Sequence, residues 1–553
     1  MPGAHEFLVP TQIHLNISPW LMLPGWAILT RINFLRNILT SSHKKITSGK
    51  IRKIVQILFL ALFLLTVLQA TYPFRPWIPP ELFLWADPLT ALTVQISGRF
   101  FDPVFLIALL VLLSPFVFGR AFCGWICPLG TTIDISDKLF FGKKKKPSTR
   151  KYRPIKTVIL ITLLLFAIFG IQLSWLMDPL PILWRSFGVL GMSFFYLLAN
   201  TILNGLYDAN IFPDAVLDIQ DGISAWLFPV GTPKFSMLLL PFLIIIGILA
   251  LEKISRRFWC RNLCPLGALL GLLSKFSPFQ RVVDKDACTG CSICRNKCKM
   301  GAIENDYIST EKSECILCLN CKDDCPTDAI SYQFRPPLTM KSATDLSRRS
   351  FIGAGTLALF GSGLFALNAL NPRQNDRRLR PPGALPEDDF LERCIRCEEC
   401  VRICATSGGC LQMAFLESGL EGIMTPLSKY RIGYCEYNCN LCGQICPTKA
   451  IQPLELAEKQ KRKMGTAIFL KDRCIPYRLN ENCIVCEEHC PLPEKAIKLE
   501  RRNYKDTETG EVRIVEYPYV DPDLCTGCGI CENKCPLEGD AGIIVIREGE
   551  ERF

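Results

Sequence analysis

The chain has 553 residues, 49% of them hydrophobic, with a formal charge of +11 and 29 cysteines. That length implies several domains, and cysteines recurring two or three residues apart are ligand spacing, not a disulfide scaffold. The basic runs abut apolar stretches and lack interleaved aromatics, which argues against nucleic acid as the partner.

Residues 1–50 read as an N-terminal basic segment and 51–283 as a four-helix transmembrane domain with an internal repeat. Five stretches approach the roughly 20 apolar residues that cross a bilayer: 54–71, 104–118, 155–177, 186–203 and 235–251; a sixth, 353–370, is less hydrophobic. Lys and Arg crowd two span ends, at Lys138, Lys143, Lys144, Lys145, Lys146, Arg150, Lys151, Arg153 and Lys156, and at Lys253, Arg256, Arg257 and Arg261. Such excess marks the cytoplasmic side and faces anionic lipid. Between Arg185 and Lys234 stand only acids (Asp208, Asp214, Asp218, Asp221), so that segment reads as outside. Parity then leaves four spans, with 186–203 in the outer interface or entering and returning.

The membrane part repeats itself. A first span precedes Trp85-Ala-Asp87-Pro88-Leu89, a second span, and Cys123-Gly-Trp-Ile-Cys127-Pro128-Leu129-Gly130. The third precedes Trp175-Leu-Met-Asp178-Pro179-Leu180, and the last accepted span precedes Cys260-Arg-Asn-Leu-Cys264-Pro265-Leu266-Gly267. The repeat places Cys123, Cys127, Cys260 and Cys264 together at the cytoplasmic surface, four thiolates for one [4Fe–4S] cluster, with zinc or free thiols as the alternatives. The Asp-Pro-Leu turns cap spans or take part in a quinol pocket.

Residues 284–335 carry Cys288, Cys291, Cys294, Cys298 and then Cys315, Cys318, Cys321, Cys325-Pro326, the pattern of a bacterial 2[4Fe–4S] ferredoxin of α+β type. Three close thiolates hold one corner of a cube, and the fourth cysteine of each run serves the other cluster. Hence Cys288, Cys291, Cys294 and Cys325 are expected on one, and Cys315, Cys318, Cys321 and Cys298 on its partner. Lys299 replaces the usual proline after Cys298.

Residues 336–371 form a single anchor helix behind Ser347-Arg348-Arg349-Ser350-Phe351-Ile352-Gly353, a twin-arginine pattern. Everything beyond 371 is then outside, and 284–335 inside. A linker (372–390) leads to 391–553, an α+β domain for four [4Fe–4S] clusters. Its runs are Cys394, Cys397, Cys400, Cys404; Cys435, Cys439, Cys442, Cys446; Cys474, Cys483, Cys486, Cys490, with eight residues inserted after the first ligand; and Cys525, Cys528, Cys531, Cys535. The second run also shows radical-SAM spacing, but no long β/α barrel follows it. Cys410 is left over, a structural thiol or a substitute for Cys404. His489 reads as a solvated bystander.

With these motifs stated, residues 50–335 resemble the NapH-type quinol dehydrogenase membrane subunits, and the chain from Arg348 onward, including Arg380-Pro-Pro-Gly-Ala-Leu-Pro386, resembles the MauM/NapG-type ferredoxins. The resemblance implies electron transfer from menaquinol or ubiquinol to a periplasmic reductase or cytochrome, in a multi-pass protein of the bacterial inner membrane. It also implies nested ligation in the last domain, Cys394, Cys397 and Cys400 with Cys535, and Cys435, Cys439 and Cys442 with Cys490. No residue is assigned acid–base chemistry. Alternatives are a cytoplasmic donor in place of quinol, an accessory polyferredoxin of NosR type that reduces or matures a periplasmic metalloenzyme, and a redox sensor.

Overall fold

The computed structural model describes residues 47–141, 150, 152–227, 234–335, 348–369, 376–505 and 510–553. The N-terminal segment before 47, Lys143, Lys144, Lys145, Lys146, Lys151, Ser347 and linker residues 372–375 lie outside the described residues.

Each repeated signature starts a helix. Asp87 accepts the Leu89 amide at 3.1 Å and Pro88 opens helix Pro88–Ser97; Asp178 accepts the Leu180 amide at 3.4 Å ahead of Pro179–Arg185. A carboxylate takes an amide that has no partner within the helix, and proline sits where no amide is needed. The two caps meet at Thr90, whose Oγ1 lies 3.3 Å from Asp87 and 3.2 Å from Asp178. Cys127-Pro128 and Cys264-Pro265 open Pro128–Ser136 and Pro265–Leu273 likewise, with Cys264 Sγ accepting the Gly267 amide at 3.2 Å.

The apolar stretches form helices Ser48–Gln69, Leu106–Phe118, Pro154–Ile168 and Leu239–Ala250. Among the described residues, two helices are long and apolar enough to cross a membrane: Ser48–Gln69, of 22 residues, and the continuous 30 residues of Pro179–Asp208. The second contains 186–203, the stretch that charge parity sets aside; a π-helical turn at Ser186–Gly191 carries the helix through unbroken. Leu106–Phe118 and Pro154–Ile168 are shorter, because Gly119 (φ 57°) and Gly170 (φ 78°) turn the chain away past their ends. Helix Arg348–Ala369 lies along Pro154–Ile168, where Gly361 admits the Phe166 ring.

A ferredoxin module sits at each end of this helical layer, residues 279–335 at one end and 376–553 at the other, called inner and outer for the sides expected from the charge pattern. The Gly49 amide, at the start of helix Ser48–Gln69, donates to Asp323 at 2.5 Å; just beyond its end the Tyr72 amide donates to Thr406 at 2.9 Å. Helix Pro154–Ile168 repeats the pattern. Arg153 ahead of it donates to the Gly301 carbonyl at 2.7 Å, and past its end the Gln172 carbonyl accepts from Arg396 at 2.8 Å. Near Leu106–Phe118, Asp102 pairs with Lys449 at 2.8 Å at one end and the Val117 carbonyl accepts from Ser277 at 2.9 Å at the other. Several basic residues expected to face lipid are instead buried in ion pairs: Arg153 and Lys156 with Glu311 and Glu314 of the inner module, and Arg257 with Asp134 in the helix after Cys127. Each replaces hydration by a carboxylate or carbonyl partner, so a basic run beside a span is here also a docking face.

One unit recurs three times in the modules, a pair of cysteine runs closed by an antiparallel β contact before the first and after the second. Strand Phe279–Val283 pairs with Ile330–Phe334, a bridge joins Ala384 to Ile451, and Thr466–Phe469 pairs with Ile543–Ile546. Hairpins Leu411–Met413 with Pro426–Ser428, and Ile497–Lys505 with Val512–Val520, are inserted between the runs of the two outer units.

Candidate iron–sulfur sites

The cysteine loops owe their shape to left-handed residues on both sides of the second cysteine. These are Gly290 and Ser292 (φ 68° and 58°), Leu317 and Leu319 (50° and 62°), Arg396 and Glu398 (49° and 69°), and Gly527 and Gly529 (72° and 73°). Such turns aim successive amides into one concavity, a nest for anionic sulfur. Non-glycine residues there cost about 1–3 kcal/mol each, strain of the kind kept at functional sites. The runs beginning at Cys435 and Cys474, with their added residues, show no such pair among the described residues.

Five cavities of nearly equal size, 340 to 360 Å³, each carry three cysteines of one run and the last of another. In the inner module Cys288, Cys291, Cys294 and Cys325 line one cavity, and Cys315, Cys318, Cys321 and Cys298 the next. In the outer module Cys394, Cys397 and Cys400 close with Cys446; Cys474, Cys483 and Cys486 with Cys535; and Cys525, Cys528 and Cys531 with Cys490. Cys404 is an electrostatic neighbour of Cys435, Cys439 and Cys442, the remaining set. This corrects the nested arrangement: Cys535 lies with Cys474 and Cys490 with Cys525, because the β contacts close the first two runs into one unit and the last two into another. The units join where the Cys435 amide donates to the Cys528 carbonyl at 2.9 Å. The outer sites therefore form a row, from the Cys394 site against the helical layer to the Cys474 site at the far end.

The cysteines of the membrane repeat also come together. Cys260 and Cys264 are electrostatic neighbours of Cys123, and Cys127 of Cys260. Their loop meets the inner module directly, with Trp125 Nε1 donating to the Leu317 carbonyl at 3.0 Å and Gly124 leaving no room for a Cβ against the Ile316 carbonyl. The inner sites thus also form a row: the Cys288 site, the Cys315 site and the membrane-edge site.

The donor chemistry fits cubane clusters. Burial pushes the Cys474 thiol up to about 11 and Cys486 and Cys528 to about 12. Iron binding must therefore displace their protons. Zinc would draw four sulfurs to about 3.8 Å of one another at a Zn–S distance of about 2.3 Å. Among the described residues no group of donors closes to single-ion geometry. His489 is exposed, bonded to the Val485 carbonyl at 2.9 Å, and lines none of the five cysteine cavities.

Four residues add to the sequence reading. Arg120 and Arg257 stand three positions before Cys123 and Cys260, so the repeat is Arg-x2-Cys-x3-Cys-Pro-Leu-Gly; extending the comparison three residues towards the N-terminus reveals them. Lys299, in the place of a proline, bonds Asp134 at 2.8 Å and ties the inner module to the helix after Cys127. Cys410 lies 4.0 Å from Cys404. Hydrogen bonding with Cys410 pulls Cys435 down to about 6, which places Cys410 beside the Cys435 set.

Comparison with known proteins agrees with this chemistry. A "4Fe-4S binding domain" model matches residues 103–147 and 235–282, spanning both membrane cysteine pairs. A "4Fe-4S dicluster domain" model matches 307–405, and a further "4Fe-4S binding domain" model 518–538. The dicluster match joins runs that the structure places at opposite ends of the helical layer, so it registers cysteine spacing and not one unit. The chain is 36% identical over 208 residues to the methylamine utilization ferredoxin-type protein MauM of Methylorubrum extorquens, covering 37% of this chain and 89% of the relative. It is 37% identical over 191 residues to the ferredoxin-type protein NapG of Escherichia coli, covering 34% of this chain and 78% of the relative. No solved structure matches. The chain binds [4Fe–4S] clusters.

Proposed function

The chain belongs to the family of MauM- and NapG-type ferredoxins, and from that premise we propose that it is a membrane-bound electron conduit, passing electrons from quinol to a periplasmic oxidoreductase. The observation that carries this reading is helix Ser48–Gln69, which is 22 residues long. At a rise of about 1.5 Å per residue it spans about 33 Å, close to the roughly 30 Å of a bilayer core. One ferredoxin module touches each of its ends. The inner module then belongs to the cytoplasm and the outer one to the periplasm.

Clusters bound in the cavities supply one-electron transfer; the chain supplies their order, spacing and electrostatic surroundings. Arg396 and Arg185 flank Trp175, at 4.7 and 5.3 Å from the ring, and hold the Cys394 loop against the helical layer. Electrons leaving the membrane enter the outer row there and reach the partner at the Cys474 end. Between the membrane-edge cysteines and that loop, the helical domain offers no further cysteine and no histidine, the four histidines being His5, His14, His43 and His489. A lipid-soluble quinol fits that interval, as does the likeness of residues 50–335 to NapH-type subunits. Inner-row sites give a cytoplasmic donor its own entrance.

The test is addition of menaquinol or ubiquinol analogues to anaerobic membranes holding the full chain. Reduced-cluster EPR signals from the outer module are expected within the mixing time of seconds; no signal with either quinol refutes the quinol role.

A further inference from the structure

The membrane-edge cysteines are enclosed by cations in a crossed arrangement. Arg257, from the second repeat, donates to the Cys123 carbonyl at 3.2 Å and the Gly130 carbonyl at 3.0 Å in the first. Arg120, from the first repeat, reaches into the second, its Nη2 2.7 Å from where a Cβ on Gly267 would stand, with Cys264 Sγ beside the same point at 3.5 Å. Gly130 and Gly267 are thus the small residues that admit the two guanidinium groups. Both arginines are buried, and Arg120 Nε and Nη2 meet no oxygen or nitrogen acceptor, the Cys123 thiol being the side chain in reach. Their nearest opposite charges include the thiols themselves, Cys123 and Cys264 for Arg120, Cys260 and Cys127 for Arg257.

Carboxylates do not cancel this charge. Glu314 is shared by Arg120 and Lys156, Asp134 by Arg257, Lys299 and Arg52, and the buried Glu252 stands beside Arg257 and Cys260, so five cations share three carboxylates. The Cys288 site offers a contrast, with Cys291 exposed and Arg281 as the guanidinium beside its thiols, 3.6 Å from Cys294. A cluster gains negative charge when it takes an electron, and buried positive charge favours that form.

We propose that Arg120 and Arg257 raise the potential of the membrane-edge cluster and so favour the arrival of an electron beside the lipid phase. This rests on the reading that Cys123, Cys127, Cys260 and Cys264 hold a cluster. Arg120 and Arg257 are positioning and tuning residues for that cluster, and their charge is the operative property.

The experiment is an anaerobic, dye-mediated EPR titration of the full-length detergent-solubilised protein, with iron analysis. The membrane-edge signal is the one lost in Cys264→Ser. Wild type is expected to hold about 28 irons, four per site over seven sites. Arg120→Gln and Arg257→Gln are each expected to disfavour reduction of that one cluster at least tenfold, about 59 mV more negative for one electron. Arg120→Lys and Arg257→Lys, which keep the charge, are expected to stay within threefold of wild type. An unmoved signal in both glutamine variants overturns the proposal, as do lysine variants shifted as far as the glutamine ones, or loss of four irons in all four variants. About 24 irons in wild type, unchanged in Cys264→Ser, refutes the underlying cluster site instead.

Discussion

Glu387→Gln is expected to lower the melting temperature of the outer module by about 6–12 °C at pH 7. Glu387 accepts from Arg380 at 2.6 and 3.3 Å, and Arg378 and Arg552 stand 3.8 and 3.5 Å away. Arg380 is fully buried and also donates to Thr425 and to the Pro426 carbonyl, both at 2.7 Å. This clasp joins Arg380-Pro-Pro-Gly, the C-terminal residues and the helix that leads into Cys394. Removing the carboxylate's charge leaves a buried guanidinium uncompensated, a change worth about 3–5 kcal/mol. The proton equilibrium gives a similar figure. Burial works to raise Glu387, but the arginines hold it down to about 2 against an ordinary 4.5. That gap corresponds to about 3 kcal/mol. At about 2–4 °C per kcal/mol for a domain of this size, the lower figure of about 3 kcal/mol gives about 6–12 °C. Because the folded value is depressed, the stabilisation is fully present above about 4.5 and fades as pH falls towards 2. An anaerobic thermal scan of cluster absorbance, wild type against variant, should show a gap that is constant from pH 8 to 6 and narrows below about 4.5. A gap under about 2 °C at pH 7, or one that widens on acidification, refutes the reasoning.

Gly124→Ala should push the Cys315 loop off the membrane-edge loop, since its Cβ would overlap the Ile316 carbonyl; rapid-freeze EPR should show slower electron exchange between the two sites, and an unchanged rate counts against direct contact. Cys410→Ser should keep about 28 irons, whereas Cys404→Ser should lose iron from the Cys435 set; the reverse result makes Cys410 the ligand. Lys299→Ala should loosen the inner module at its tie to Asp134, seen as faster amide exchange across residues 299–303; unchanged exchange there contradicts the tether.

Much of the site geometry was legible because cluster chemistry acts through short sequence spacings. Three cysteines within seven residues must share one concavity, and the glycines at 290, 527 and 529 announce left-handed turns. Leu317, Leu319, Arg396 and Glu398 adopt the same turns without glycine, so that strain shows only in the fold. The pairing of the outer runs was hidden because it depends on long-range β contacts, Ala384 with Ile451 and Thr466–Phe469 with Ile543–Ile546. Helix lengths were the hardest to read. A stretch apolar on every side has no periodicity to mark its end, and the end of Pro154–Ile168 is decided by Gly170. Charge parity set aside 186–203, while the structure runs it into the 30-residue helix Pro179–Asp208. Lysine and arginine counts near spans likewise could not show that Arg153, Lys156 and Arg257 are buried in ion pairs.

The central claim is that the two rows of sites lie on opposite sides of a membrane. A membrane-impermeant paramagnetic ion, added to inverted vesicles and separately to spheroplasts, shortens the EPR relaxation of clusters facing the added ion. The inner module's signals should respond only in inverted vesicles and the outer module's only in spheroplasts. A response of both modules from the same side would contradict the claim.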